Sequence, residues 1–342
     1  MTNQEPKKLS ESELCPPELL LEQERAYERD VERLLLARHD EFVQVACPAC
    51  GSRSANAEFT KYGLNFMRCV DCRTIYVSPR PSEMVLADYY QNAESYQFWA
   101  AEIFPASEAA RRQKLHIPWY DRIREYCANH GVDTGTLVEI GAGFGTFCSV
   151  AQDTGDFKRV IAVEPTPDLA RHCRERGLEV YEKRFENIDG ASLQADVVVS
   201  FEVIEHLFAP RDFVLTIRHI LKPGGLLVLS CPNGDGFDIA TLGPASLAVD
   251  AEHINLFNPK SLALLLKASG YRILEASTPG RLDAEFVRDA AQKHLIDLSQ
   301  TPFLQRVLID EWEHLGWPFQ MFLAENGLSS HMWLAALKYD GS

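Results

Sequence analysis

The chain of 342 residues contains no run of about eighteen apolar side chains, so no membrane-spanning helix is expected. Its first residues, through Cys15-Pro16-Pro17-Glu18, are polar and lack the apolar centre of a secretion signal, which makes the cytoplasm the expected compartment. Basic charge is scarce: 34 Lys and Arg stand against 49 Asp and Glu, a formal net charge of −15. Nucleic acid and anionic membranes draw their affinity from a basic surface that releases counterions. Both are therefore poor partners here, and a small-molecule acceptor is expected instead. Disulfides have little place in a reducing compartment, so the nine cysteines call for metal ligation or free thiols. Internal repeats and low-complexity tracts are missing too.

Four of those cysteines are ordered. Cys47-Pro-Ala-Cys50 and Cys69-Val-Asp-Cys72 are paired CxxC units with eighteen residues between them. Two such knuckles can bring four thiolates to the corners of a tetrahedron around one zinc ion. With all four ligands supplied by protein, no position is left for water, so the expected role is structural. The segment between the knuckles suits a short hairpin. Arg53, Lys61, Arg68, Arg73 and Arg80 make this module mildly basic, which is the one local feature that favours a nucleic-acid contact. Cys15, Cys127, Cys148, Cys173 and Cys231 are scattered and read as small packing residues.

Four regions follow from the patterning. Residues 1–43 form an N-terminal helical segment, frayed to about residue 15. After Pro16-Pro17 it becomes an amphipathic helix to about His39, with Leu20, Val31, Leu34 and Leu35 on one face for packing or homodimerisation. Residues 44–81 are the cysteine module. Residues 82–132 read as a helical segment that caps the site, with Tyr89, Tyr90 and Arg111 as candidate substrate contacts. Residues 133–342 alternate apolar strands (TLVEIGA, RVIAVE, EVYE, DVVVSF, LLVLSC, YRILEAS, SHMWLAAL) with helices, apart from a helical insertion at about 280–327. Apolar strands separated by helices predict a doubly wound α/β sheet covered on both faces.

The first of these strands runs into Gly141-Ala142-Gly143-Phe144-Gly145, which then opens a helix. Glycines permit a tight turn and close approach of a ligand, and the helix start offers free N–H groups to an anion. The spacing is G-x-G-x-G, not the G-x-G-x-x-G of dinucleotide enzymes. The second strand ends at Glu164-Pro165, about twenty residues on, where a carboxylate can accept both ribose hydroxyls.

Ser200-Phe201-Glu202-Val203-Ile204-Glu205-His206 follows the fourth strand, and Leu221-Lys-Pro-Gly224-Gly225 precedes the fifth. Together with VEIGAGFGTF and AVEP, these segments resemble class I S-adenosylmethionine methyltransferases over about residues 136–275. The resemblance implies a Rossmann-like seven-stranded sheet with an antiparallel last strand, and S-adenosyl-L-methionine as cofactor. It implies that Glu139 and the Gly141–Gly145 backbone, with Ala142 and Gly143, hold the methionine part. Glu164 would hold the ribose, with Pro165 beside it. Phe185-Glu186 would flank adenine, and Phe201-Glu202 would line the pocket. The cysteine module and AEHINLFNPKSLALLLKASGY are similar to zinc-containing sugar, glycan and natural-product methyltransferases, although the long second α/β domain of the sugar C-methyltransferases is missing.

Methyl transfer to a hydroxyl or an acidic C–H needs a base. His253, in the loop after the fifth strand, is the first candidate, since imidazole titrates near neutrality; Glu205 and His206 come second. The alternatives are an RNA-modifying enzyme that grips its substrate with the zinc ribbon, and a non-catalytic S-adenosylmethionine-binding protein.

Overall fold

The computed structural model describes residues 9–188 and 193–339. Its helices are α1 (Glu11–Leu14), α2 (Pro17–Asp30), α3 (Glu83–Asn92), α4 (Glu94–Phe98), α5 (Phe104–Arg111), α6 (Ile117–His130), α7 (Thr146–Thr154), α8 (Pro167–Glu175), α9 (Pro210–Ile220), α10 (Phe237–Leu242), α11 (Pro259–Ala268), α12 (Asp283–Gln292), α13 (Pro302–Gln305) and α14 (Trp312–Glu325). Its strands are β1 (Ala55–Lys61), β2 (Leu64–Cys69), β3 (Ile75–Val77), β4 (Thr136–Ile140), β5 (Arg159–Val163), β6 (Glu179–Tyr181), β7 (Ala195–Phe201), β8 (Leu221–Pro232), β9 (Asn255–Leu256), β10 (Tyr271–Ser277) and β11 (His331–Lys338).

Seven strands form the main sheet in the order β10-β11-β8-β7-β4-β5-β6. β4, β5, β6, β7 and β8 pair in parallel, and β11 alone runs antiparallel to both its neighbours, as the resemblance implies. Every residue of β7 is buried, which explains the unbroken apolar run: a strand covered on both faces has no solvent side to make polar. One core packs α9 and α11 against one face of the sheet; a second packs α6 and α7 against the other. Chain order reverses between β4 and β7, so the carboxyl ends of these two strands flank a crevice where the connecting loops diverge.

A second sheet, β1-β2-β3-β9, carries the cysteine module. Its last strand is only two residues long and comes from far along the chain: Tyr76 pairs with Asn255 and Ile75 with Leu256. The module is thus joined by main-chain hydrogen bonds to the loop that bears His253.

The stretch from residue 9 to 15, expected to fray, is folded. Glu13 caps Ser10 and pairs with Lys114, the Leu14 carbonyl accepts from Arg111, and Leu9 is buried. These partners lie about a hundred residues away, beyond the reach of a local pattern. The inserted helices α12 and α14 and the turn at Arg306–Asp310 pack with α10 into their own apolar cluster. Among the described residues no helix is long and apolar enough to cross a membrane.

Candidate functional site

The glycine loop is shaped by what surrounds it. Gly141 and Gly143 both hold positive φ, which favours glycine. A Cβ at Gly141 would stand 2.5 Å from Val203 Cγ2, because the loop after β7 presses against the loop after β4. A Cβ at Gly143 would meet nothing within 4 Å, so its Cα faces open space. The N–H groups of Gly141, Ala142, Gly143 and Gly145 are engaged by protein acceptors, so it is the start of α7 beyond them that fits the carboxylate end of an amino-acid-like ligand. Gly141→Ala is expected to cost about 2–4 kcal/mol through overpacking and left-handed strain. Thermal unfolding of that variant beside Gly141→Ala/Val203→Ala checks this, since the second change should restore part of the loss.

Glu164 closes the same corner. Its Oε2 accepts the Gly143 N–H (2.8 Å) and its Oε1 accepts the Thr166 N–H (2.9 Å). Each oxygen keeps a second lone pair, the acceptor capacity that two ribose hydroxyls require. Pro165 is exposed beside it. Phe144 turns away from the crevice and stacks on Phe104 of α5, centroids 3.8 Å apart, fastening the helical cap to the loop.

Three residues implied as cofactor contacts also have protein partners. Glu139 is 4% exposed and accepts the Cys148 thiol proton. Burial, eased by that bond, pushes its carboxyl up to about 8. It braces the strand end behind the loop. Phe185 meets Phe213 of α9 edge-on at 4.7 Å, and Glu186 is exposed and pairs with Arg184. Phe201 lies in an aromatic floor with Trp119 (4.7 Å), Phe147 and Trp333. Glu202 follows at φ 53°. Its side chain is 44% exposed. Ser230 Oγ donates to it at 2.6 Å and His331 Nε2 lies 3.0 Å away. Burial opposes its charge, but His331, Ser230 and His253 outweigh burial and draw the carboxyl down to about 2.

Further along the cleft, Glu205, His206 and His253 converge. The two imidazole rings are 4.7 Å apart. His253 Nδ1 lies 2.9 Å from the Ala248 carbonyl and 3.2 Å from Asp250 Oδ2, so its proton sits there and Nε2 keeps a lone pair. Burial pulls this imidazole down, but Asp250, the Ala248 carbonyl, Glu252 and Glu202 outweigh it and the net shift is upward. Burial pushes Glu205 far up and Glu202 adds to it; burial brings His206 down to about 3. Tyr90 stands edge-on to His206 at 6.0 Å, and Tyr89, buried, donates to Glu252 (2.9 Å). Both tyrosines therefore build the wall of this cluster. Arg111 does not reach it: it lies over Trp99 and Phe104 and donates to Ser107 and the Leu14 carbonyl.

Sequence reasoning did not single out Asp250, Trp119, His331 or Asn255. The Asp-x-x-His spacing could have given Asp250. Asn255 had no local signal: its Nδ2 donates to the Leu207 and Glu205 carbonyls, and its Oδ1 accepts from Arg80. It ties β3, β9 and the His206 loop together.

The four module cysteines form one group, all sulfurs within 4.8 Å of one another. Cys47–Cys72 is 3.4 Å and Cys50–Cys69 3.5 Å. Sulfurs about 2.3 Å from a tetrahedral zinc stand about 3.8 Å apart, so the set fits that ion. The two knuckles share one geometry. The Cys47 N–H donates to the Ser52 carbonyl and the Cys69 N–H to the Thr74 carbonyl; the Gly51 and Arg73 N–H groups donate back to Cys47 and Cys69.

Residues 108–276 match the family described as a methyltransferase domain. A protein of Mycolicibacterium smegmatis named a probable S-adenosylmethionine-dependent methyltransferase is 28% identical over 162 residues, 47% of this chain and 59% of its own length. A ubiquinone biosynthesis O-methyltransferase of Roseobacter denitrificans is 32% identical over 130 residues, 36% of this chain and 50% of its own. This chain thus spans about half to three-fifths of those curated relatives. A chain from the complex between the Haloferax volcanii Trm112 methyltransferase activator and a methyltransferase superposes with a TM-score of 0.47 at 16% identity, covering 70% of this chain and 96% of that one. Over residues 108–276 the chain is therefore similar to a methyltransferase domain, and the relatives matched are named as S-adenosylmethionine-dependent methyltransferases and O-methyltransferases.

Proposed function

We propose that this chain transfers the methyl group of S-adenosyl-L-methionine to a small-molecule acceptor of the sugar, glycan-precursor or natural-product kind. The observation that carries the reading is the corner built by Gly143 and Glu164, where an unobstructed glycine Cα and a doubly anchored carboxylate meet at the strand-order reversal. In this reading the Gly141–Gly145 loop and the start of α7 beyond it receive the methionine carboxylate and Glu164 the ribose. Phe201 and Glu202 line the pocket, with Phe185-Glu186 toward the adenine side.

The sulfonium, when bound, supplies an electrophilic methyl carbon. The chain's part is to align the acceptor with the S–C bond, which can remove about 7–11 kcal/mol of the barrier, and to exclude water. The aromatic floor and the Tyr89–Tyr90 wall serve that end. In this reading the Nε2 lone pair of His253 can take the acceptor's proton while Asp250 holds the ring, a contribution of roughly 10²–10⁴-fold.

A small acceptor agrees with the basic residues of the cysteine module. Arg68 and Arg73 pair with Asp235, Lys61 donates to the Ser246 carbonyl, and Arg80 is buried against Asn255. Four of the five cations thus serve internal contacts. The four cysteines, in this reading, hold a structural zinc that fixes β3, and through β9 the loop of His253.

Calorimetric titration of Glu164→Ala with S-adenosylmethionine tests the assignment. A loss of affinity of 100-fold or more, with the unfolding transition retained, is expected; wild-type affinity would remove the ribose role.

A further inference from the structure

At the acceptor end of the cleft, Glu205, His206 and His253 each present one ligand atom, and the three atoms lie within 4.8 Å of one another. Glu205 is wholly buried, and neither of its carboxylate oxygens has a hydrogen-bond partner among the described residues. Nδ1 of His206 is also buried and has no hydrogen-bond partner among the described residues. His253 is arranged the other way round. The Ala248 carbonyl and Asp250 occupy its Nδ1, which leaves Nε2 to ligate.

A buried carboxylate with no donor costs several kcal/mol. Most buried polar groups in folded proteins are satisfied, and one explanation of an orphan is an ion or water that completes it; here three such atoms, both oxygens of Glu205 and Nδ1 of His206, fall in one cluster of ligand-type side chains. The surrounding charge narrows the choice. Glu202 and Asp250 act on Glu205, and Asp250, Glu252 and Glu202 act on His253. Three carboxylates facing an orphan carboxylate and two imidazoles call for a cation. An imidazole-rich set selects a transition metal over calcium or magnesium, which prefer oxygen.

We propose that Glu205, His206 and His253 bind a divalent transition-metal ion at a second site, separate from the four cysteines. Nitrogen and oxygen ligands 2.0–2.2 Å from a tetrahedral zinc stand about 3.4 Å apart, so small side-chain rotations close the trio on the ion. The contact of Asp250 with His253 Nδ1 supplies the outer carboxylate that orients a ligating imidazole. Three protein ligands leave a fourth position open, the pattern of a catalytic site rather than a structural one.

What fills the open position rests on the methyl-transfer reading: an oxygen of the acceptor, from a hydroxyl or a carboxylate. Nε2 of His253 would then be a ligand, and an acceptor hydroxyl on the ion, its pKa lowered, would release its proton to water before its oxygen takes the methyl group. The site would thus select oxygen-bearing acceptors.

The test is metal stoichiometry. Full-length chain loaded with Zn²⁺, freed of excess ion and measured by elemental analysis should hold two zinc ions. Glu205→Gln and, independently, His253→Ala should each hold one, with affinity for S-adenosylmethionine by calorimetry within about tenfold of wild type. Loading with Co²⁺ separates the sites: the cysteine set gives intense thiolate-to-cobalt absorption, and the second ion adds visible bands that Glu205→Gln abolishes while the thiolate bands persist. A single ion in wild type, or equal metal content in wild type and both variants, overturns the proposal. Wild-type chain that takes up two ions but does not bind S-adenosylmethionine would leave the metal site standing and sink the methyl-transfer reading.

Discussion

Replacing Cys47 and Cys69 together by Ser is expected to strip the module of its metal and abolish methyl transfer, although neither sulfur faces the cleft. One cysteine is lost from each knuckle, so two ligands remain, too few for a closed tetrahedral site. Structural zinc supplies roughly 10–16 kcal/mol of apparent binding free energy in isolated zinc-finger peptides. Here part of the module is held by packing, so the loss of stability should be smaller. The consequence travels through main chain: Cys69 ends β2, β2 pairs with β3, and β3 pairs with β9 two residues after His253. Elemental analysis and hydrogen exchange at residues 254–256 follow the two halves of the claim. Unchanged zinc content would refute the metal assignment. Zinc lost with full turnover would refute the coupling.

Arg80→Leu should be the most damaging single change outside the cleft, destabilising the chain by roughly 3–5 kcal/mol. Arg80 is 1% exposed, and burial pulls its guanidinium down to about 10, still charged at neutral pH. It donates to the Val77 carbonyl, the Phe208 carbonyl and Asn255 Oδ1. Leucine fills much of the volume but leaves three buried acceptors without a donor, each worth about 1–3 kcal/mol before relaxation. Asn255 would lose its anchor and loosen its hold on the Glu205–His206 loop, so turnover should fall more than affinity for S-adenosylmethionine. Denaturant unfolding gives the stability change; a loss under 1 kcal/mol would contradict this account of the junction.

Much of this was legible in the residues, for identifiable reasons. Strands buried on both faces wrote themselves as runs such as DVVVSF, and the CxxC pairs state their ligands by spacing alone. The glycine loop and Glu164 were readable because a tight turn and a strand end have local signatures. What stayed hidden depends on distant partners. β9 is two residues long and exists only because β3 lies beside it. The stack of Phe104 on Phe144 joins segments forty residues apart. Glu139 and Phe185 lay in the right segments, but which way each side chain turns is decided by Cys148 and Phe213 across the packed layers. The basic residues of the module looked like a surface feature because Asp235, which engages both Arg68 and Arg73, lies more than 160 residues away.

The central claim is that an adenosylated sulfonium lies across the Gly143–Glu164 corner. A calorimetric titration of the wild-type chain with S-adenosylmethionine, and in parallel with NADH, tests it most directly. One molecule of S-adenosylmethionine bound per chain, with no heat from NADH, is the predicted result. A chain that takes NADH and ignores the sulfonium compound would contradict it.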